Sequence, residues 1–170
     1  MKMYWHYASW GGLPEMVESG NIRGSDVGAA NENPFLWFSR NQLWEPTATE
    51  LTFQEQAERI GCIRFGIAST DPRLLNWKNA CSAAGIPTGM RQELVRDGRK
   101  KGGYPSDWYA VASNIPLDEL HFQVWLNGWT TSISPQGMAA VWTWTNDWWH
   151  QHGKYAAAEI AINHWRKQNE

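Results

Sequence analysis

The sequence predicts an α+β fold, and three observations lead to that prediction. Short apolar runs bounded by Gly, Pro, Asn or Ser recur along most of the chain, which is typical of short strands. The helical patterns between these runs are also short, and they carry their own start and stop signals. Finally, Asn127-Gly128 stands between two strand-like runs, and this pair is the strongest short-range signal for a β-hairpin because its residues tolerate positive φ.

Each predicted element depends on a local signal. The predicted strands cover residues 5–9, 34–39, 62–68, 107–111, 120–126 and 129–134, and an alternating pattern over 139–145 favours one more. The predicted helices cover residues 13–20, 52–59, 71–84, 89–97 and 155–168. Pro14 suits a first helical turn and Gly20 a left-handed stop, while Thr52 and Glu55 have the spacing of a capping box. The run 62–68 is largely apolar, which predicts a central strand.

Composition predicts one domain over residues 1–170, with a Trp-rich C-terminal extension over 134–170. A chain of 170 residues can bury about 70% of its unfolded surface, so no covalent staple is needed. A net charge of −2 gives no general attraction to nucleic acid or membranes, so binding either would need a local basic patch. The N-terminus is too short and polar for a signal peptide, and we expect a cytoplasmic protein without membrane contact.

Neither the cysteines nor the histidines predict a metal site. Cys62 and Cys81 are expected to be buried reduced thiols, because two cysteines make neither a disulfide framework nor a zinc set. His150 and His152 near Asp147 have a spacing that suits neither one helix face nor the usual zinc patterns. We therefore predict no metal.

Tryptophan is the outlier in composition, with 13 residues in 170. Most of these rings are expected in the core, but indoles also stack on sugars and bases. The cluster Trp142, Trp144, Trp148 and Trp149 therefore leaves a sugar-binding module as one alternative function.

Residues 104–117 contain the carboxylate around which the predicted site is built. Asp107 stands immediately before an apolar strand and shortly after the cationic run Arg99, Lys100 and Lys101. A loop, an acid and a strand in this order are typical of functional sites, although Asp107 could also be a solvated turn residue. The cationic run is interpreted as a mobile loop, either solvated or in contact with phosphates or an acidic protein surface.

Three segments, taken together, resemble the motifs of one enzyme family. The first has a histidine on the first strand, ahead of a short helix and a glycine: Trp5-His6-Tyr7 with Leu13, Met16, Gly20 and Ile22. The second is Trp37-Phe38-Ser39 followed by Trp44-Glu45-Pro46-Thr47-Ala48. The third is Asp107 with the strand after it, then Ile115-Pro116-Leu117 and residues 120–124. This order is similar to that of the diphtheria-toxin-like ADP-ribosyltransferases, which include poly(ADP-ribose) polymerases and DNA-modifying bacterial toxins.

The resemblance implies a split β-sheet core with short flanking helices and NAD bound in a cleft. In the family, the histidine binds the adenosine ribose and the backbone beside it holds the nicotinamide amide, so the matching residues here are His6 and Tyr7. An aromatic ring stacks on nicotinamide, which assigns that role to Trp37 or Trp44. A hydroxyl donates to the amide oxygen, and Ser39 and Thr47 are its candidates.

The resemblance also implies an acid that stabilises positive charge as the glycosidic bond of NAD breaks. Asp107 is the first candidate, although the family usually has Glu, whose carboxylate reaches further by one methylene group. Glu45 is the rival acid, with an alternative role as a first-turn helix carboxylate beside Pro46. Arg99, Lys100 and Lys101 match the family's acceptor-recognition loop.

The predicted function is transfer of ADP-ribose from NAD to a macromolecular acceptor, either protein or nucleic acid. Two further alternatives stay open beside the sugar-binding module. One is a non-catalytic relative of this fold that binds a nucleotide or a protein partner, such as a phage or bacterial conflict factor. The other is an RNA 2′-phosphotransferase, which shares the fold and the leading histidine but needs more basic residues than this chain has.

Overall fold

Antiparallel strands form most of the structure. The computed structural model describes residues 1–25, 28, 32–152, 163 and 167, with the backbone alone for 144–152. Its strands are β1 (Met3–Ser9), β2 (Asn21–Ile22), β3 (Leu36–Ser39), β4 (Cys62–Ala68), β5 (Leu75–Asn76), β6 (Trp108–Val111), β7 (Ile115–Pro116), β8 (His121–Trp125) and β9 (Trp129–Thr130). Seven of them form one sheet in the order β5-β6-β3-β1-β4-β8-β9, and β2 pairs with β7.

The helices are short, and they lie between the strands or follow the last of them. They are α1 (Leu13–Ser19), α2 (Phe53–Arg59), α3 (Trp77–Ala84), α4 (Thr88–Lys100) and α5 (Pro135–His152). Single 3₁₀ turns cover Trp10–Gly12, Pro105–Asp107 and Leu117–Glu119. This arrangement confirms the predicted α+β class.

Several local signals act as predicted. Gly20 ends α1 in the left-handed region with φ 67°. Thr52 and Glu55 form both hydrogen bonds of the capping box at the start of α2. Asn127, with φ 56°, turns the chain between β8 and β9. Turn and cap residues were predictable because their backbone angles depend on a few neighbouring atoms.

Two other predicted elements are wrong because of packing or strand pairing, and a third is not tested. The strand predicted over 139–145 is part of α5, whose buried Met138 and Val141 face the core. The helix predicted over 71–84 begins only at Trp77, because Leu75–Asn76 pairs with β6 and Asn76 caps α3. Most of the helix predicted over 155–168 lies outside the described residues.

The largest error concerns the cationic run. We predicted a helix ending at Asp97 and then a mobile loop, but α4 continues to Lys100. Gly98 does not stop this helix; it gives Trp108 room to pack against the helix backbone. Arg99 and Lys100 therefore belong to the last helical turn, where cations interact favourably with the helix dipole.

The two faces of the sheet are covered differently. One face, which we call the core face, carries Tyr4 of β1 and Ile63, Phe65 and Ile67 of β4, and α1 and α5 pack over it. The central position predicted for residues 62–68 is confirmed, since β4 is buried along nearly its whole length. In the described residues, no helix combines the length and apolar character needed to cross a membrane.

The opposite face is divided into two halves. Over β6 and β3 it is covered by α3 and α4, through contacts with Trp37 and Ala110. Over β1, β4 and β8 it carries the aromatic cluster, which consists of Trp5, Tyr7, Trp44, Phe53, Trp125 and Trp129. The candidate site lies between these halves.

Candidate functional site

A cleft opens where β1 and β3 meet. The two strands pair in register at one position, Trp5 with Ser39. Beyond that pair, Nδ1 of His6 bonds the carbonyl oxygen of Trp37 at 2.9 Å. A carbonyl can only accept, so Nδ1 carries the hydrogen and Nε2 is the acceptor nitrogen of the neutral ring. The cleft has a volume of about 430 Å³, within the range of small-molecule sites.

Residues from distant parts of the chain form its walls. Strands β1 and β3 contribute His6, Tyr7, Trp37 and Ser39, and the segment 40–52 contributes Glu45, Thr47 and Glu50. The far wall consists of Trp77 of α3, Trp108 of β6, and Leu94, Asp97 and Gly98 of α4, with Lys101 just beyond this helix. Seven of the predicted site residues, Lys101 included, therefore meet in one cavity.

The Glu45 carboxylate is the buried charge of the cleft, with 6% of the residue exposed. Its Oε2 accepts from Ser39 Oγ at 2.6 Å and Asn41 Nδ2 at 2.8 Å. Its Oε1 accepts from Thr47 Oγ1 at 2.7 Å, from the Thr47 backbone N–H at 3.3 Å and from Trp108 Nε1 at 3.1 Å. Neutral donors thus hold the carboxylate in one orientation, and no ion pair to it forms among the described residues.

Two glycines allow the far wall to approach this carboxylate. A Cβ on Gly98 would lie 2.4 Å from the Trp108 ring. A Cβ on Gly103 would lie 2.9 Å from Glu45 Oε1 and 2.8 Å from a methyl carbon of Thr47. None of these distances is compatible with a side chain, so the absence of one at both positions sets the width of the cleft.

His6 and Tyr7 present neutral groups to the cleft. Burial lowers the pKa of His6, against a smaller opposing effect of its hydrogen bond to the Trp37 carbonyl. The ring is therefore neutral at pH 7. The Tyr7 hydroxyl donates to the Asn41 carbonyl at 2.6 Å, and burial raises the pKa of Tyr7 to about 12, so the phenol stays protonated.

Three indoles provide flat apolar surface in the cleft. The ring centroids of Trp37 and Trp77 are 5.5 Å apart, and those of Trp77 and Trp108 are 5.0 Å apart in an edge-to-face arrangement. Such surfaces suit a planar heteroaromatic ligand. Trp77 and Trp108 were not predicted as site residues, because no local pattern marks a tryptophan that reaches a distant wall.

The mouth of the cleft carries charges of both signs. Lys101 Nζ bonds Glu50 Oε2 at 2.8 Å, so the end of α4 is linked to the segment 40–52. Asp97 also lines the cleft and pairs with Lys100 at 2.8 Å. Of the three cations predicted to bind an acceptor, only Lys101 lines this cavity; Arg99 and Lys100 line the outer side of α4.

The structure does not bring Asp107 into the group of residues that line the cleft. Its carboxylate pairs with Arg40 at 2.5 Å, and the Arg40 backbone N–H donates to the Asp107 carbonyl at 2.9 Å. Ser39 and Trp108 are paired in register and both line the cleft. Side chains alternate between the two faces along a strand, so the next pair after β3 and β6, Arg40 with Asp107, points away from the cleft. The role predicted for Asp107 stays a prediction.

Trp44 also lies outside the cleft lining. Its ring packs in the aromatic cluster, 5.1 Å from Tyr7 and 5.5 Å from Phe53 between centroids. Its indole Nε1 is buried and has no hydrogen-bond partner among the described residues. Of the two aromatic candidates in the second motif, only Trp37 faces the cavity.

In the part of the chain that the structure describes, no three His, Cys, Asp or Glu side chains are grouped so that they could hold a metal ion. The chain matches no protein-family model, no curated protein and no solved structure.

Proposed function

We propose that the cleft binds NAD and that the protein transfers ADP-ribose from NAD to a macromolecular acceptor. The observation that carries this proposal is the convergence of His6, Tyr7, Trp37, Ser39, Glu45 and Thr47 on one cavity. These residues come from separate segments, and each was assigned to NAD or to its reaction from sequence alone.

The aromatic wall and the hydroxyl groups suit the nicotinamide end of the dinucleotide. Trp37 and His6 both line the cleft, so we assign Trp37 to nicotinamide and Nε2 of His6, whose Nδ1 already bonds the Trp37 carbonyl, to a ribose hydroxyl. The hydroxyl groups of Ser39 and Thr47 already donate to Glu45, at 2.6 and 2.7 Å. They therefore orient the acid, and the backbone beside Tyr7 is left to bind the amide.

Glu45 is the carboxylate to which we assign charge stabilisation. When the bond between nicotinamide and C1′ of the ribose breaks, the electron pair leaves with nicotinamide and C1′ becomes positively charged. A buried carboxylate held in advance by fixed donors stabilises that charge without reorganising. The acceptor nucleophile then bonds C1′ and loses its proton to solvent.

Labelled NAD provides the direct test of this proposal. Purified protein incubated with the label and a cell lysate should transfer it to a macromolecule, and Glu45→Gln should reduce the transfer at least a hundredfold. Asp107→Asn should leave most of the transfer intact, because its carboxylate is paired with Arg40. If Asp107→Asn abolishes transfer and Glu45→Gln does not, the catalytic acid is Asp107.

NAD affinity tests the cleft independently of the chemistry. His6→Ala should weaken NAD binding by about tenfold, which corresponds to about 1.4 kcal/mol, with the fold retained. His121→Ala is the matched control, since His121 is an exposed histidine on β8 and lies outside the cleft lining. Equal NAD affinity of wild type and His6→Ala would remove His6 from the site.

A second function, a non-catalytic nucleotide-binding module, is favoured by one specific observation. Both oxygens of Glu45 already accept hydrogen bonds, five in total, so the carboxylate also serves to hold its own wall together. In that case NAD should raise the melting temperature by mass action, while no label reaches any macromolecule.

A further inference from the structure

The outer side of α4 carries a shallow groove that the proposed function does not use. Its lining includes four cations, Arg91, Arg96, Arg99 and Lys100, together with the neutral donors Thr88 and Gln92. Among the described residues, no carboxylate lines this groove, although the whole chain has a net charge of −2. We call this surface the α4 groove.

The positive charge of the α4 groove is only partly compensated. Arg91 is held by neutral acceptors, the carbonyl of Ile86 at 2.6 Å and that of Cys81 at 3.2 Å. Arg96 and Lys100 share a single carboxylate, Asp97, at 3.4 and 2.8 Å. These exposed pairs are screened by solvent and compete weakly with an incoming anion.

The groove and the cleft lie on two sides of the same helix. Leu94, Asp97 and Gly98 of α4 face the cleft, while the cations from Arg91 to Lys100 face the groove. At about 1.5 Å per residue, these cations form a row roughly 13 Å long. The row ends beside Lys101 at the cleft mouth, so a ligand that follows it reaches the cleft.

We propose that the α4 groove binds the phosphate backbone of a single-stranded nucleic acid, which makes nucleic acid the acceptor class. The acceptor assignment rests on the proposed function, whereas the binding itself does not. Three of the four cations are arginines, whose forked guanidinium groups match phosphate oxygens. Lys100 lines the groove and the next residue, Lys101, lines the cleft, so a strand whose backbone lies on α4 can bring a single unpaired nucleotide to the cleft.

Fluorescence anisotropy with labelled single-stranded DNA and RNA, without NAD, tests this binding. The full chain should bind either probe with an affinity that falls steeply between about 50 and 200 mM salt. The triple change Arg96→Glu, Arg99→Glu and Lys100→Glu should weaken binding at least tenfold. It should also reduce the slope of log affinity against log salt by about 2, since each single-strand phosphate contact contributes about 0.7.

The matched control reverses three exposed cations elsewhere, Lys2→Glu, Arg23→Glu and Arg59→Glu, and gives the same net charge. It should keep most of the affinity. Absence of oligonucleotide binding at low salt, or equal weakening in both triple variants, overturns the proposal. So does binding of polyglutamate but not of oligonucleotide, which would assign the groove to an acidic protein.

The two proposals fail separately. His6→Ala should bind oligonucleotide normally, because His6 lies in the cleft and not on the outer side of α4. A protein that binds oligonucleotide but not NAD refutes the proposed function and leaves the groove proposal standing. A protein that transfers label from NAD without binding oligonucleotide refutes only the groove proposal.

Discussion

The cleft and the aromatic cluster are neighbours that share Tyr7, and each holds a buried charged side chain beside indoles. In the cluster, the Arg64 guanidinium fills the space between Trp5 and Trp129, 3.8 and 4.3 Å from their ring centroids. In the cleft, Glu45 is hydrogen-bonded to the wall, and the indoles border an open cavity of about 430 Å³. When a charged side chain of the protein packs against the rings, they form a structural cluster. When the space beside the rings stays open, they can form a binding site.

Side-chain length and anchoring explain the difference. Arg64 is 6% exposed, and its guanidinium donates to the Gln123 side chain and the Gln42 carbonyl. Among the described residues it forms no ion pair, so its charge is stabilised by ring faces and neutral acceptors. Glu45 has a shorter arm, and its hydrogen bonds keep it in the wall. Tyr7 touches both halves and marks their boundary.

Loss of the cleft carboxylate should have the largest effect on stability. Glu45→Ala leaves the donors of Ser39, Asn41, Thr47 and Trp108 without their acceptor, and we expect it to lower the free energy of unfolding by about 3–5 kcal/mol. Urea denaturation measures this change. Glu50→Gln, at a side chain 91% exposed, is the control, with an expected effect within about 0.5 kcal/mol. A comparably small loss for Glu45→Ala would mean that these hydrogen bonds do not hold the wall.

Substitution of the buried cation should have the next largest effect and should leave the cleft unchanged. Arg64→Lys retains a buried charge but loses the stacking of the planar guanidinium on the rings and its several directed hydrogen bonds. We therefore expect the free energy of unfolding to fall by about 2–3 kcal/mol. Arg64→Met should cost less, because it fills the space without burying a charge.

The urea midpoints of the two Arg64 variants show which variant loses more stability. The NAD affinity of both variants should equal that of the wild type. A larger loss for the methionine variant would show that the charge itself stabilises the cluster. A change in NAD affinity would show that the two halves of this face are coupled.

The smallest expected effect comes from adding one methyl group to α4. Gly98→Ala places a carbon 2.4 Å from the Trp108 ring, so overpacking of about 1–3 kcal/mol exceeds the gain of about 1 kcal/mol in helix propensity. Gly89→Ala, in the same helix with no atom within 4 Å of the added carbon, should be neutral or slightly stabilising. In thermal melts, the melting temperature should fall for Gly98→Ala and should stay the same or rise slightly for Gly89→Ala. If both melting temperatures rise, the Trp108 ring moves to accommodate the added methyl group, and the width of the cleft is adjustable.

Much of the candidate site was predictable through the resemblance to family motifs, because those motifs are short and local. His6 and Tyr7 share a strand, and Ser39, Glu45 and Thr47 lie within one turn-rich segment. The position of Asp107 was not predictable in the same way. A turn that precedes a strand does not set the direction of its side chains, and here pairing with Arg40 decides it.

The sequence by itself determined the α+β class, the left-handed cap at Gly20, the capping box at Thr52 and the hairpin at Asn127, because each depends on a few adjacent residues. Only the tertiary structure decided that Glu45 and not Asp107 lines the cleft, where α4 ends, and that the Arg64 guanidinium packs between the rings of Trp5 and Trp129. These outcomes depend on side chains that are distant in sequence and compete for the same space, and that competition is settled only when the sheet is assembled.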